Sequence, residues 1–535
     1  MTCICVTFTR NRNLTLAKRF FCMLLCLAIL CSSALASEID DNFTVGLISV
    51  KTTKLNPLLA VERDFQSLTA LIYEGLIELD DNYDPQPCLA ESWTTDGCKT
   101  WQFTIRRDVY FSDGTRLTAY DVAATVNEIL RLANDDTADN NGVYASLKYV
   151  VSKCWANDET TVNFTAARAY YGFIYAMNFP ILKQDEVQAD NPVGTGPYKV
   201  DLFSPGNYLY LSARSDWWDE MPSVTVINAM FKATNKELTA EYEYNRVDGI
   251  ITRSVTAAQY HSGVTSINID YRTRQLETLL FNLKSFPLEN ENIRYAIRYA
   301  IDVDTLADGA YYGLVSRTDT PLPKGTWMYH DGTDEIGENV YSYNVEKAKA
   351  LLAQEGWEDS DGDGVLDKVV NGAKKNLHLQ LYVYEEAENS VRVEMAGRIK
   401  DMLNAVGIGV TVTSMSYARA KEKLEAGSFD LCLAAFQMDS VPDPGFLLIG
   451  PNKCNYGRYK STEMNDLFTN FRKSQSKMEM QSYLYQIQTL FARDCPFICL
   501  FYRGGAVLTR KIYTNEGDIR EPDVLRGIES INVEK

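Results

Sequence analysis

Histidine is nearly missing: the 535 residues hold three, His261, His330 and His378, in unrelated contexts and without a partner at metal-ligand spacing. Neither His-Glu-x-x-His nor Gly-x-Ser-x-Gly occurs, so nothing points to zinc-protease or serine-hydrolase chemistry. Basic charge is in deficit as well. The formal net charge is −18, and the first 36 residues hold four basic residues (Arg10, Arg12, Lys18, Arg19) and no acid, so the remainder is more acidic still. A surface of that sign repels phosphate backbones, which removes nucleic acid as a partner. Beyond residue 36 no apolar run is long enough to cross a bilayer. Internal repeats and low-complexity tracts are lacking too.

The one long apolar run stands at the start. Residues 20–30 follow the basic stretch ending at Arg19 and precede Ala34-Leu35-Ala36, a small-x-small cleavage site. At roughly 1.5 Å per residue the run reaches about half of a ~30 Å hydrocarbon core, so residues 1–36 read as a secretory signal and not as a span. Cys26 and Cys31 follow Leu25 and Leu30, where a lipid-attachment site wants a small side chain, so a free exported protein is expected in preference to a lipid-anchored one. Five of the 12 cysteines lie in the signal and seven remain. Export permits disulfides, with Cys88–Cys98 and Cys432–Cys454 as candidates, and small buried thiols as the equal alternative.

A chain of this length exceeds one core, so at least two domains are expected. Residues 42–50 suggest a buried strand, followed by a turn at Asn56-Pro57, and the apolar spacing of residues 68–79 predicts a helix broken at Gly75. Trp101, Phe103 and Ile105 alternate with polar residues as a half-buried strand does. Asp113-Gly114 then supplies turn chemistry, and Thr118 with Asp121 forms an N-cap pair before an apolar helical stripe. Residues 192–200, PVGTGPYKV, restrict the backbone before a strand and lack the Lys-Ser/Thr of a phosphate loop. Helices are predicted over the stripe Ile293, Ala296, Ile297, Ala300, with a second one starting near Asp302, and over 343–357. Residues 377–412 read as a β-α-β unit with parallel strands.

Between them lies DSDGDGVLD. Asp359, Asp361, Asp363, Gly364 and Asp367 stand at the first, third, fifth, sixth and ninth places of a calcium loop, but the twelfth falls on Val370, where a bidentate Glu is expected. Calcium binding there is weighed against an acidic hairpin loop, and no cofactor is expected. Carboxylate pairs such as Glu385-Glu386 or Asp439 with Asp443 can be drawn as glycosidase pairs, yet solvated surface explains them as well.

The motifs together carry a resemblance. Leu89-Ala90, Trp93, Asp96-Gly97, Phe103, Arg106, Phe111, Asp113-Gly114, Thr118-Ala119 and Asp121-Val122 are similar to a signature segment of the ABC-transporter extracellular solute-binding proteins of family 5, which includes oligopeptide-, dipeptide- and nickel-binding members. Further matches are Asn56-Pro57, Tyr73-Glu74-Gly75-Leu76, the Gly-Thr-Gly-Pro-Tyr run at 194–198, residues 281–306, 427–448 and 486–502. The resemblance implies an α/β fold of the periplasmic-binding-protein-like type II, two lobes with a hinge plus an extra inserted domain. The expected division is 37–84 with 194–279 and 500–535 in lobe 1, 85–193 inserted, and 280–499 in lobe 2.

It further implies a non-enzymatic substrate-binding component that captures a peptide by hinge closure and delivers it to an ABC permease with its ATPase subunits. A monomer is expected. In peptide-binding relatives the strand at 431–437 runs beside the ligand and an aspartate beyond it pairs with the α-ammonium. That role falls to Asp439, with Ala435, Phe436 and Gln437 as neighbours and Asn56 near the cleft. One extra residue between Asp439 and Asp443-Pro444, and Phe436 in place of a frequent Trp, depart from the family pattern. Arg392 is a candidate for the ligand carboxylate, weighed against a helix-surface cation. Alternatives are an oligosaccharide or nickel-chelate ligand on the same fold and, from another class, a secreted hydrolase.

Overall fold

The computed structural model describes residues 42–60, 62–135, 142–255, 266–332, 342–385, 391–450, 454–510 and 519–528. The leader at 1–36, His261 and Glu386 lie outside the described residues.

Two long strands set the architecture. Ile267–Phe281 and Phe497–Thr509, 15 and 13 residues long, run antiparallel to each other. At ~3.3 Å per residue the longer spans roughly 50 Å, well beyond the ~5–6 residues of an ordinary strand. Residues 275–281 and 497–503 are buried without alternation, as strands covered on both faces must be. Between Arg272 and Leu276 their pairing register shifts. On one side of that break the sheet continues through Gly249–Thr252, Asn42–Ile48, Val226–Lys232, Tyr208–Ala213 and Tyr198–Ser204. On the other side it continues through Leu431–Gln437, His378–Tyr384 and Gly409–Met415, and Val315–Arg317 pairs with the second long strand to complete eleven. The two halves of the sheet are thus two lobes joined by a pair of crossing strands.

The carboxy-terminal half follows the sequence pattern closely. His378–Tyr384 and Gly409–Met415 pair in parallel around the helix Val391–Asn404, as a right-handed crossover allows. Ile293, Ala296, Ile297 and Ala300 of the helix Glu291–Ala300 are buried against Leu352, Met395 and Ile399. Asp302 caps the next helix, Val303–Tyr311, by accepting from the Thr305 N–H at 3.1 Å, and Asn344 caps Val345–Gln354 by accepting from Lys347 at 2.9 Å.

The inserted segment has its own four-stranded antiparallel sheet, in the order Ala90–Asp96, Thr100–Ile105, Thr161–Ala166, Val151–Ala156. Trp101, Phe103 and Ile105 are buried in alternation with Gln102 and Thr104, as predicted. The helix Ala119–Ala133 covers them, and the Thr118 N–H donates to Asp121 at 2.8 Å across its first turn. The chain re-enters the large sheet through residues 194–197, where a Cβ on Gly194 would fall 1.9 Å from the Ile72 carbonyl oxygen. Only glycine allows that approach.

One expectation fails here, and of the two open readings of the cysteines the structure takes the thiols. The predicted helix at 68–79 is instead a helix over Arg63–Thr69 and a short strand over Ile77–Leu79. The Leu71 and Ile72 carbonyls accept from Tyr198 and Gly196, so the returning chain takes the groups a helix would use. All seven cysteines of the described residues are free thiols, so neither Cys88–Cys98 nor Cys432–Cys454 is bridged.

At the register break the buried side chains are charged. Glu277, wholly buried, accepts from Arg392 at 2.7 and 3.2 Å and from Gln275 at 3.1 Å, and Arg503 of the second crossing strand lies 3.7 Å away. Gln275 in turn accepts from Arg63 at 2.9 Å. Arg63 stands 3.9 Å from Glu521, which also meets Arg253 at 3.2 Å, and Arg253 pairs with Asp64 at 2.6 Å. Arg392 is therefore not a helix-surface cation: its guanidinium neutralises Glu277 and lies 4.2 Å over the Tyr384 ring.

Removing one partner of such a pair leaves a buried charge uncompensated. Glu277→Ala is expected to lower unfolding free energy by about 3–5 kcal/mol, with much of the loss restored in Glu277→Leu/Arg392→Met. Denaturant unfolding of the three proteins checks this, and a single-variant loss below about 1 kcal/mol contradicts it.

Candidate functional site

Two adjoining cavities, of about 310 and 170 Å³, open where the crossing strands change register. Both are walled by Asn178, Arg274, Met438, Asp439, Ser440 and Pro522, so they are two chambers of one cleft. The walls come from the inserted segment, a crossing strand, the carboxy-terminal lobe and the chain's tail.

The strand Leu431–Gln437 delivers the carboxy-terminal wall. One of its edges pairs with Ile267–Phe281 over its whole length, whereas the other pairs with His378–Tyr384 only at Leu431 and Cys432. From 433 onward that second edge has no ladder partner among the described residues, and the Ala435 N–H donates to the Tyr384 hydroxyl at 3.1 Å instead. By the alternation of an antiparallel ladder, the Gln437 N–H faces the same open edge. Beyond the strand, Met438 N–H donates to the Arg274 carbonyl at 2.9 Å and turns the chain into the cleft. Asp443 holds the loop's far end through a two-point pair with Arg472 at 2.5 and 2.8 Å.

Within this loop Asp439 is exposed, and its carboxylate accepts the Ser440 N–H at 2.7 Å. The Ser440 hydroxyl accepts from Asn178 at 3.2 Å and from Arg274 at 3.4 Å. One serine thus ties three walls together at the partition between the chambers.

Of the residues singled out in the sequence, Asp439 lines both chambers and Gln437 the smaller one. Ala435 lies on the same edge outside both chambers, with its N–H taken by Tyr384. Phe436 points the other way, packing against Phe446 and Tyr456 at ring distances of 6.4 and 6.3 Å, because successive side chains of a strand alternate faces. Asn56 is buried outside both chambers, donating to the Val187 and Ala189 carbonyls and accepting from Leu58. It ties two segments together. Arg392 is taken by Glu277. Asp359, Asp361 and Asp363 converge within 4.8 Å of one another on the surface. Asp367 leaves them: it starts the hairpin strand Asp367–Val370, binds Ser360 at 2.8–3.0 Å and meets Lys374 at 3.1 Å. The same Lys374 ammonium also meets Asp361 at 2.5 Å.

Glu74, from the matched Tyr73-Glu74-Gly75-Leu76 segment, lines the larger chamber, and sequence reading missed Trp217 and Arg274 as lining residues. For Arg274 a signal existed: Arg272 and Arg274 are two apart, on one face of a strand, just before an apolar run. Glu74 accepts the Trp218 indole N–H at 3.1 Å, while Arg106 lies 4.6 Å over the same indole. Burial pushes the Glu74 carboxyl from its ordinary 4.5 up to about 7, against hydrogen bonds that favour the ion.

The unfolded chain releases that proton near the ordinary value, so the folded state loses stability as pH rises through about 7. Glu74→Gln is expected to flatten the fall in melting temperature between about pH 5 and pH 8. Equal slopes in variant and wild type contradict the shift.

Comparison with known proteins agrees with this geometry. The family model "Bacterial extracellular solute-binding proteins, family 5 Middle" matches residues 84–457. The oligopeptide-binding protein AppA of Bacillus subtilis is 23% identical over 481 residues, covering 86% of each chain. The nickel-binding periplasmic protein of Escherichia coli is 25% identical over 431 residues, covering 76% of this chain and 78% of that one. Among solved structures, the ABC transporter substrate-binding protein CtaP of Listeria monocytogenes superposes with a TM-score of 0.77 at 19% identity, covering 92% of this chain and 99% of that one. With a family model covering well over half its length and the same two-lobed architecture, the chain belongs to the bacterial extracellular solute-binding proteins of family 5.

Proposed function

We propose that this protein captures peptides outside the cytoplasmic membrane and hands them to an ABC permease driven by its ATPase subunits, as a monomer and without catalysing a reaction. The observation that carries the reading is an exposed carboxylate, Asp439, set at the end of a strand whose edge is open from residue 433. An extended peptide adds to such an edge through main-chain hydrogen bonds, which are indifferent to side-chain identity, while the carboxylate takes the α-ammonium. The name of the Bacillus subtilis relative supports peptide as the ligand class. The leader at 1–36 supports export, with the leucines before Cys26 and Cys31 favouring a free protein over a lipid-anchored one.

A hydrolase reading finds no support in the cleft. Asp443, the carboxylate that would pair with Asp439, is locked to Arg472.

Titration calorimetry of the mature protein with di- to pentapeptides tests the reading. Micromolar or tighter binding is expected, with no product formed on prolonged incubation. Asp439→Asn is expected to weaken it about 10- to 100-fold, the effect of losing one charge-assisted hydrogen bond of roughly 1.5–3 kcal/mol. N-acetylation of the peptide should mimic the variant. Peptides that bind equally with a blocked amino terminus take Asp439 out of this role, and binding only of oligosaccharides or nickel chelates replaces the ligand class.

A further inference from the structure

We propose that Arg274 is an anion-holding residue of the cleft, and that the cargo carries a carboxylate close to its ammonium. The inference rests on the reading that Asp439 holds the ammonium.

Arg274 reaches both chambers from the crossing strand. No carboxylate of the described residues lies within ion-pair distance of its guanidinium. Of the acids around it, Glu521 is committed to Arg253, Glu277 to Arg392 and Asp443 to Arg472, which leaves Asp439 across Ser440. Glu521 meets Arg274 only through the backbone N–H, at 3.4 Å. The guanidinium itself makes one long bond, from Nη1 to the Ser440 hydroxyl at 3.4 Å, and its Nε is enclosed without an acceptor.

A guanidinium presents five donors in a fixed fork matched to a carboxylate, and an enclosed donor left without an acceptor costs free energy. A bound carboxylate supplies the missing acceptors. Lys324, exposed on the wall of the larger chamber, and Arg272 on the same strand face are further cations of a lining that also holds Glu74, Glu78 and Asp523.

Position narrows the ligand further. Arg274 and Asp439 flank one residue, Ser440, bound to its hydroxyl and to its N–H respectively. A ligand that satisfies both charges therefore has its ammonium and its carboxylate only a few bonds apart. Two kinds of cargo meet that condition: a short peptide or amino acid whose main-chain carboxylate lies near its ammonium, and a longer peptide with an acidic first side chain.

Calorimetry with four synthetic peptides separates them: Ala-Ala, its C-terminal amide, Asp-Ala-Ala-amide and Ala-Ala-Ala-amide. Wild-type protein is expected to favour at least one carboxylate-bearing member over its neutral counterpart by tenfold or more. Arg274→Gln should erase that preference, and Arg274→Lys, which keeps the charge without the fork, should restore part of it. Preference for Ala-Ala over its amide assigns the site to a main-chain carboxylate, and preference for Asp-Ala-Ala-amide over Ala-Ala-Ala-amide assigns it to an acidic side chain. Unchanged ratios in Arg274→Gln, or tighter binding of acidic peptides there, overturn the proposal while peptide capture stands. Should no peptide bind, citrate is the probe: binding that Arg274→Gln abolishes keeps the anion site and removes the peptide reading, and no binding removes both. Melting temperatures of the unliganded variants exclude misfolding as the cause, and Arg274→Lys carries the test if Arg274→Gln does not fold.

Discussion

The fold depends on the paired crossing strands and on the register break between Arg272 and Leu276. A pleated ladder in perfect register resists bending, and an irregularity is where a strand pair changes direction and twist. Here it sits where the sheet passes from one lobe to the other. The same short stretch holds Glu277, its two arginines, and the chain of polar contacts through Gln275 to Arg63, Glu521, Arg253 and Asp64. Charges this deeply buried cost several kcal/mol each unless paired, so the arrangement fixes which side chains meet across the break more than it adds net stability.

The cleft follows from that geometry. Residues on either side of the break, Arg274 on the strand and Asp439 beyond Gln437, come together with Asn178 of the inserted segment at a single serine. A ligand touching all three walls bonds to both lobes at once. Binding shifts a hinge equilibrium only by its preference for the closed form, and taking a mostly open population to a mostly closed one needs on the order of 5 kcal/mol. Main-chain pairing along the open edge, together with charge-assisted bonds at the partition, is of that order.

Elements with strong local signals were legible in the sequence. The alternation of Trp101, Phe103 and Ile105, the helix start at Asp302, and the β-α-β unit after residue 377 form as their residues dictate. The helix read over 68–79 fails because its carbonyls are used by a segment more than a hundred residues away, which no local pattern records. The site divides the same way. Asp439 and Gln437 belong to a motif that ends in the cleft. Asn56 lies in a motif yet builds the scaffold, and Arg392, weighed between a ligand contact and a helix-surface cation, is a buried partner of Glu277, a contact 115 residues away that no local pattern records. Arg274 carries only the weak signal of its spacing from Arg272, and its enclosed Nε without an acceptor is visible only once the neighbours are in place.

Ligand held in this cleft draws the two lobes together about the crossing strands. Small-angle X-ray scattering of the mature protein, with and without a saturating ligand, measures it most directly. A smaller radius of gyration is expected in the bound form, with the change lost in Asp439→Asn at the same ligand concentration. Saturation that leaves the scattering profile unchanged would contradict hinge closure as the means by which this protein signals its load.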